Sequence, residues 1–445
     1  MKTTRILTLA ATLLAGPAAL AQELPRRAFV GINLRGINDS IQQRHRLPNQ
    51  QGILVTGVRA ASSAQAAGLQ GGDVVVKVGD AAVQDVPQFV GLLKQYPTGA
   101  TATFTLLRNG KTIRRKVAFK PYPAETSAFH EVQYSSVQFG PNQLRTIITR
   151  PRGSAQQRHP MVLFIQGVSC HSVDNPLAPA STERRIIDSL SRHGYATMRV
   201  EKTGMGDSRG TPCMESDFEM ETGGYKAGLA AIRQLPWVDQ DNIFLTGFSI
   251  GGVMAPLVAQ GQPIKGIVTW GTASRSFIEY LLANKRNQST LQGMPYDQIN
   301  EQQQLYAAVL HLLLTEKQTP EQVLARYPNA GELLRFPQHY RYMQQWQHTN
   351  LAAAWQQLNT HVLALRGAAD YISYDEDQQL IADIVNRAHP GKARYQRLPD
   401  VDHGFVRARD MSESLKLSEA AAPAQNFEFM TVIVRWLDEV RKQKA

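Results

Sequence analysis

Cysteine is almost missing from this chain, with two among 445 residues, enough for one bridge and no more. Beyond the first twenty residues there is no apolar run of the roughly 20 residues that a spanning helix needs, which excludes a membrane-spanning segment there. No H-E-x-x-H and no Walker A lysine pattern occurs. Gly204-x-Gly206 lacks the third glycine of a dinucleotide fingerprint, because Arg209 stands where that glycine belongs. Neither a metal nor an organic cofactor is expected. Acidic residues are outnumbered, 37 against 48 basic, for a formal charge of +11. The basic residues are scattered, with small clusters at Arg114-Arg115-Lys116 and Arg184-Arg185, and no aromatic and basic module is interleaved, so nucleic acid is not an expected partner. Attraction to anionic envelope surfaces is compatible with that charge. Internal repeats and long low-complexity tracts are also missing.

What is present begins with Met1-Lys2-Thr3-Thr4-Arg5, an apolar run from Ile6 to Leu20, and Ala19-Leu20-Ala21 before Gln22. A charged start, a short apolar core and an A-x-A site predict a secretory signal peptide over residues 1–21, with the mature chain starting near Gln22. A periplasmic or secreted location in a Gram-negative-like cell is therefore expected, without a membrane span. The length itself predicts two or three domains.

Residues 28–120 alternate short β-rich segments, Ala28 to Leu34, Gly52 to Arg59, Asp73 to Val78, Ala102 to Arg108 and Thr112 to Phe119, with a helical stretch from Val86 to Gln95. An Ala67-Gly68-Leu69-x-x-Gly72-Asp73 turn and an Arg108-Asn109-Gly110-Lys111 hairpin lie between them. This order resembles a PDZ domain of the HtrA type. The resemblance implies a groove that takes a C-terminal peptide as an added strand, with Phe29, Val30, Gly31 and Ile32 as the carboxylate-binding loop. Val86, Phe89 and Val90 are the expected helix-side wall. A module that only packs on its neighbour and binds no peptide is the alternative. The polar stretch Asn38 to Gln51 departs from a compact PDZ and is placed where it could gate or block the groove. Pro121-Tyr122-Pro123-Ala124-Glu125 reads as linker, taken as residues 121–129.

The most informative stretch is Gly247-Phe248-Ser249-Ile250-Gly251, after the apolar run Ile243 to Thr246 and before Gly252-Val253-Met254-Ala255. A serine on a sharp strand-to-helix turn needs small neighbours two residues to either side, and G-x-S-x-G supplies them. Downstream, the strand pattern Val362 to Gly367 delivers Asp370, and the strand Tyr395 to Leu398 is followed by Asp402-His403-Gly404-Phe405. The order Ser, Asp, His resembles the α/β-hydrolase family over residues 130–445. It implies an α/β fold with a doubly wound, mostly parallel sheet. Its opening hairpin would be His130 to Ser136 with Gln143 to Thr149, and helices are expected at Glu183 to His193, Asp217 to Gln234 and Ile250 to Ala259.

A serine hydroxyl needs an imidazole to take its proton and a carboxylate to fix that imidazole. The resemblance assigns these roles to Ser249, His403 and Asp370. Asp375 and Asp377 are rival acids, whereas Asp400 and Asp402 read as shaping the histidine loop. The other histidines read as surface or core residues, with His171 either lining the pocket or idle on its rim. The family also implies an oxyanion hole from the backbone N–H groups of Ile250 and Val168. The loop Gln166-Gly167-Val168-Ser169 departs from the usual His-Gly start by placing Gln166 first. Glu201-Lys202-Thr203-Gly204-Met205-Gly206-Asp207-Ser208 resembles the family's turn after its fourth strand. On the family sheet the loops carrying Cys170 and Cys213 leave neighbouring strands at one edge, which implies a disulfide between them. Residues 276–358, helical and rich in glutamine and aromatics, resemble a cap inserted between the sixth and seventh strands; its individual aromatics read first as core.

The expected activity is that of a serine hydrolase working through an acyl-enzyme on carboxylic esters. A prolyl-oligopeptidase-like peptidase is the alternative, as is a PDZ adaptor whose hydrolase half is inactive.

Overall fold

Alternating apolar positions in the first hundred residues close a small antiparallel sheet. The structure is a computed structural model that describes residues 24–153, 157–418 and 424–443; the signal peptide expected at 1–21 and the start at Gln22 lie outside the described residues. The elements of this first module are β1 (Ala28–Phe29), β2 (Ile32–Gly36), α1 (Asp39–His45), β3 (Ile53–Val58), α2 (Ser63–Ala66), β4 (Val74–Val78), β5 (Ala81–Ala82), α3 (Val86–Leu93), β6 (Thr101–Arg108), β7 (Lys111–Ala118) and β8 (Lys120–Pro121). The sheet runs β2-β3-β4-β6-β7, with β5 on β4, while β1 pairs with β8. Ile53, Val55, Val75, Val78, Phe89, Phe104, Leu106 and Val117 fill its core. Asn109 and Gly110 both take positive φ, 51° and 73°, as a two-residue hairpin turn between β6 and β7 requires. Ala28 to Leu34, read as one segment, is broken at Val30-Gly31, where Gly31 adopts φ 77° and a Cβ would lie 2.2 Å from that of Ser62.

The polar stretch after β2 folds as α1, capped by the side chain of Asn38, with Ile41 and Leu47 buried. Pro121 to Glu125, expected as linker, is held on both sides. Pro121 pairs in β8 with β1, and Glu125 is a buried ion-pair partner of Arg199 (2.6 Å) and Arg184 (3.3 Å). The segment preceding β1 is anchored as well. Arg26 pairs with Asp174 at 2.7 Å and with Asp207 at 2.5 Å, lies over the Tyr134 ring, and offers its carbonyl to Thr98 of the first module.

The second sheet has eight strands in the order β16-β15-β14-β13-β11-β12-β10-β9. They are β9 (His130–Phe139), β10 (Asn142–Pro151), β11 (His159–Ile165), β12 (Ala196–Val200), β13 (Val238–Phe248), β14 (Gly266–Trp270), β15 (His361–Gly367) and β16 (Ala393–Leu398). β9 and β10 form an antiparallel hairpin and β10 pairs antiparallel with β12; the remaining pairings are parallel. Crossovers use α4 (Thr182–Arg192), α5 (Phe218–Arg233) and α6 (Ile250–Ala259). Successive residues of β11 and β13 face opposite layers. Met161, Leu163, Ile243 and Leu245 pack with α5 and α6, whereas Val162, Phe164 and Phe244 pack with α4 and the last helix. Both faces are thus covered, as a parallel sheet requires.

Between the sixth and seventh strands of this sheet stand α7 (Phe277–Leu291), α8 (Tyr296–Leu310), α9 (Pro320–Arg326), α10 (Tyr340–Gln347) and α11 (Leu351–Gln356). Their aromatics make the insertion's own core: Phe277 stacks on Trp346 at 3.8 Å, and Tyr342 meets Phe218 of α5 edge-on. The chain ends with α12 (Asp375–Ala388), α13 (Met411–Leu417) and α14 (Glu428–Lys442). Among the described residues no helix is long and apolar enough to cross a membrane.

Candidate active site

The carboxyl ends of β11, β12, β13, β15 and β16 lie at one edge of the sheet, and every candidate of the hydrolase half follows one of them. At the end of β13, Ser249 adopts φ 55° and ψ −124°. A side chain held there is strained by about 1–3 kcal/mol, a cost that tertiary packing must offset. The packing is visible in the flanking glycines. A Cβ on Gly247 would lie 2.4 Å from the Gly251 carbonyl oxygen, and one on Gly251 would lie 2.3 Å from that of Ile165. The Ser249 N–H donates to the Trp270 carbonyl at 2.8 Å. Its hydroxyl does not cap α6 and is partly exposed at the sheet edge.

Asp370, past the end of β15, is fully buried. Its Oδ1 accepts the N–H groups of Ile372 (2.7 Å) and Ser373 (2.9 Å), and its Oδ2 accepts the Ser373 hydroxyl (2.5 Å). The same Oδ2 lies 2.9 Å from His403 Nδ1. Burial alone would raise the Asp370 pKa; His403 and the Ser373 donors outweigh it and hold the carboxyl below its usual range. Burial likewise pulls the His403 imidazole down, but the charge and hydrogen bond of Asp370 raise it above its ordinary value. With Nδ1–H given to the acid, Nε2 is left for proton transfer. Arg366 braces this loop through the Asp370 carbonyl (2.6 Å).

Ser249 is tied to the pair through one short segment. Trp270 accepts from the Ser249 amide and donates its indole N–H to the His403 carbonyl at 3.1 Å. The adjoining Gly271 packs directly against Asp370 and His403. Among the described residues no hydrogen bond joins the Ser249 hydroxyl to His403; such bonds often tighten only when substrate is bound. The rival acids are engaged elsewhere. Asp375 pairs with Arg366, Asp377 with Arg275 and the Ser274 amide, and Asp402 accepts from Gly404, Val406 and Ser414 within the histidine loop. The Asp400 carbonyl accepts from Asn426, and His171 is exposed on the rim, its carbonyl accepting from Gln166.

The loop after β11 comes up against the elbow. A Cβ on Gly167 would lie 3.3 Å from that of Ser249. Gln166, in place of the family's histidine, stiffens the loop from within, donating through Nε2 to Ser169 Oγ (2.8 Å) and to His171 (3.2 Å). Val168 is half-buried and Ile250 buried. Cys170 and Cys213 form a disulfide that binds this loop to the one following Gly204. Three supports were not singled out from sequence: Lys202, which donates to the Gly167 carbonyl at 2.7 Å; Glu221, paired with Lys202 at 2.8 Å; and Tyr225, whose hydroxyl accepts from the Gln166 amide at 3.2 Å. Lys202 belongs to the turn after β12, but its target lies on another strand's loop. Below them, burial pushes Glu201 up to about 7, opposed by its bonds to Ser172 and the Val173 amide.

In the first module, the carbonyls of Phe29, Val30 and Gly31 are taken by Ser63, Ala64 and Arg59, and β2 lies at the sheet edge, beginning at Ile32. Val90 is exposed and Val86 half-buried beside Gly36 of β2. Phe89 is no wall residue. It is 1% exposed and meets Phe104 edge-on in the core, on the inward side of α3 where Val86 also packs partly buried, while Val90, the next residue along the helix, turns outward. Phe29, Arg59, Lys120, Pro123 and Leu177 surround a cleft of about 500 Å³ where the first module meets the second.

Comparison with known proteins places two family models on the chain: the PDZ domain at residues 28–118 and the X-Pro dipeptidyl-peptidase (S15 family) at residues 140–381. "Serine protease Do-like HtrA" of Lactobacillus helveticus is 34% identical over 88 residues, 19% of this chain and 21% of that protein. "Probable periplasmic serine endoprotease DegP-like" of Chlamydia trachomatis is 29% identical over 99 residues, 22% of this chain and 20% of that protein. The chain thus spans about a fifth of the length of these relatives. Among solved structures, Est1E from Butyrivibrio proteoclasticus aligns with a TM-score of 0.44 at 12% identity, covering 70% of this chain and 99% of that one. The Pyrococcus furiosus esterase Pf2001 aligns with a TM-score of 0.43 at 12% identity, covering 72% and 95%.

Proposed function

The chain belongs to the X-Pro dipeptidyl-peptidase (S15) family, and from that premise we propose an exported serine hydrolase that cleaves carboxylic esters through an acyl-enzyme on Ser249. Ser249 Oγ attacks the acyl carbon while His403 Nε2 takes its proton, and Asp370 holds the imidazole and offsets its charge. The oxyanion is met by the N–H groups of Ile250 and Val168. His403 then protonates the leaving alcohol, and water repeats the sequence to release the acid. Residues 130–445 carry this chemistry, with the α7 to α11 insertion as the cap that excludes water.

The observation that carries the reading is the Asp370 to His403 hydrogen bond, held through Trp270-Gly271 beside the strained Ser249. Peptide-bond cleavage is the second reading, favoured by the description of the matching family. Residues 28–120 are the peptide-binding module, taking a C-terminal strand along β2 with Phe29 to Ile32 at the carboxylate and Val86 and Val90 as wall. Export rests on the expected signal peptide and on the Cys170–Cys213 disulfide.

Fluorophosphonate labelling of the mature protein, read by intact mass, tests the reading. One adduct is expected on wild type and none on Ser249→Ala or His403→Ala. Hydrolysis of p-nitrophenyl acyl esters against peptide amides then separates the two substrate classes. No adduct and no turnover of either class would leave an adaptor with an inert hydrolase half.

A further inference from the structure

The turn after β12 places an ammonium behind the loop that faces Ser249. Lys202 Nζ donates to the Gly167 carbonyl at 2.7 Å and pairs with Glu221 Oε1 at 2.8 Å, both side chains 3% exposed. β12 runs parallel to β11, so a side chain leaving the end of one strand reaches the loop leaving the other. One turn further along α5 from Glu221, the Tyr225 hydroxyl accepts the Gln166 N–H. Two successive groups of the loop, the Gln166 N–H and the Gly167 C=O, are thus pinned from behind. The front of the loop is the Ser249 side, since a Cβ on Gly167 would stand 3.2 Å from the Phe248 carbonyl oxygen and 3.3 Å from Ser249 Cβ.

A trans peptide points its C=O and the following N–H in opposite directions. Holding the Gly167 oxygen toward Lys202 therefore turns the Val168 N–H the other way. Deepening the reading above, and resting on it, we propose that Lys202 is a positioning residue of the oxyanion hole: its ammonium anchors the Gly167 carbonyl so that the Val168 N–H stands ready for the developing oxyanion, with Glu221 as counter-ion. A fixed dipole of this kind needs no reorientation as charge builds up, which is where such donors gain their effect. An ammonium suits the task because it has three donors and no acceptor, enough to serve carbonyl and carboxylate together. The disulfide does not duplicate the anchor, since it grips Cys170, beyond the donating peptide.

The test compares wild type, Lys202→Met and the double variant Lys202→Met/Glu221→Gln, which avoids leaving a buried carboxylate unpaired. Each is measured for p-nitrophenyl butyrate hydrolysis, for inhibition by a trifluoromethyl ketone that forms a tetrahedral adduct, and for Tm. The expected result is a kcat lowered about 10- to 100-fold, KM within about threefold, and ketone affinity falling in step with kcat in both variants. A purely structural pair would instead move Tm while sparing kcat. A folded variant with kcat within threefold of wild type, or a loss confined to KM, overturns the proposal. If neither variant folds, the structure of the wild-type ketone adduct decides: an oxyanion on the Val168 N–H with Gly167 still on Lys202 supports it, and an oxyanion directed elsewhere refutes it. Wild type that neither labels at Ser249 nor turns over ester would mark failure of the hydrolase reading itself.

Discussion

A single carbon added at Gly271 should separate the geometry of the His403–Asp370 pair from the stability of the fold. Gly271 has φ 57°, and its Cβ would stand 2.9 Å from both Asp370 Oδ2 and His403 Nδ1. That is about 0.5 Å inside ordinary van der Waals contact, and neither neighbour can retreat freely, since Asp370 is held by Ile372 and Ser373. The positive φ costs an alanine about 1–2 kcal/mol and the overpacking about 1–3 kcal/mol more, so Gly271→Ala should lower Tm by on the order of 5–10 °C. Displacing the imidazole by a sizeable fraction of an ångström should cut kcat about 100-fold, or about 2.7 kcal/mol of barrier. Gly261→Ala is the control. Its φ is 69° with nothing within 4 Å of the added carbon, so it carries the strain without the contact, and should lose a few degrees of Tm and no activity. The assay is steady-state ester hydrolysis at a temperature well below either Tm. A Gly271→Ala enzyme with kcat within threefold of wild type would refute the view that this glycine keeps room for the pair.

The remaining predictions concern charge, covalent bracing and the peptide groove. Because Asp370 raises the His403 pKa, and the base must be neutral, kcat/KM should climb with pH through a midpoint above about 6.5; Asp370→Asn should move that midpoint down and cost about 10³- to 10⁴-fold in kcat. The same pair stabilises the fold most between roughly pH 4 and 6.5. Below that window the depressed carboxyl of Asp370 takes up its proton, and above it the raised imidazole of His403 releases its own. Glu201, pushed up to about 7 by burial, acts in the opposite sense from an ordinary carboxylate. The folded state binds its proton more tightly, so stability falls as pH rises from about 4.5 to 7, and urea titrations should show Glu201→Gln gaining about 3 kcal/mol relative to wild type across that interval. Replacing Cys170 and Cys213 by serine opens a loop of sequence separation 43 and should cost on the order of 4 kcal/mol in the chain-entropy account, visible as a lower denaturation midpoint. Val90→Asp should abolish binding of a C-terminal peptide, measured calorimetrically, while Ser249→Ala leaves that binding unchanged.

Local rules made much of this protein legible. The strand-to-helix turn at Ser249 is written in small residues at fixed spacing, and the hairpin at Asn109-Gly110 in the two residues that tolerate positive φ. Strand pairs and crossovers follow from apolar runs of strand length separated by helical ones. What sequence did not yield is contact between residues far apart in the chain. Lys202 meets a carbonyl of residue 167 and a carboxylate of residue 221, and no periodicity connects those three positions. Ser373 is near Asp370 in sequence, yet its three-residue offset carries no signal until the loop folds back to give the carboxylate both its amide and its hydroxyl. Val86, Phe89 and Val90 crowd one side of the short helix α3, and only the packing against Phe104 shows that Phe89 is the one wholly in the core. Pro121 to Glu125 reads as linker by composition, and composition cannot express that its one glutamate meets two buried arginines.

The supports of the candidate site come from different layers, and this bears on how the cap can act. Behind the loop after β11 stand Lys202, Glu221 and Tyr225, all from the body of the sheet and its crossover helix α5. The acid loop is gripped from the other side. Tyr280 and Asn284 of α7 both donate to the Ile372 carbonyl, at 3.1 and 2.9 Å, two residues from Asp370. A shift of α7 would therefore be felt at the Asp370–His403 pair before it reached the loop after β11. Substitutions that loosen α7, such as Asn284→Ala, should then lower kcat through the pH profile of His403 while trifluoromethyl ketone affinity per unit of neutral imidazole stays at the wild-type value. Equal losses in both quantities would place the cap's influence on the oxyanion side instead, and would contradict the division of supports that the hydrogen bonds describe.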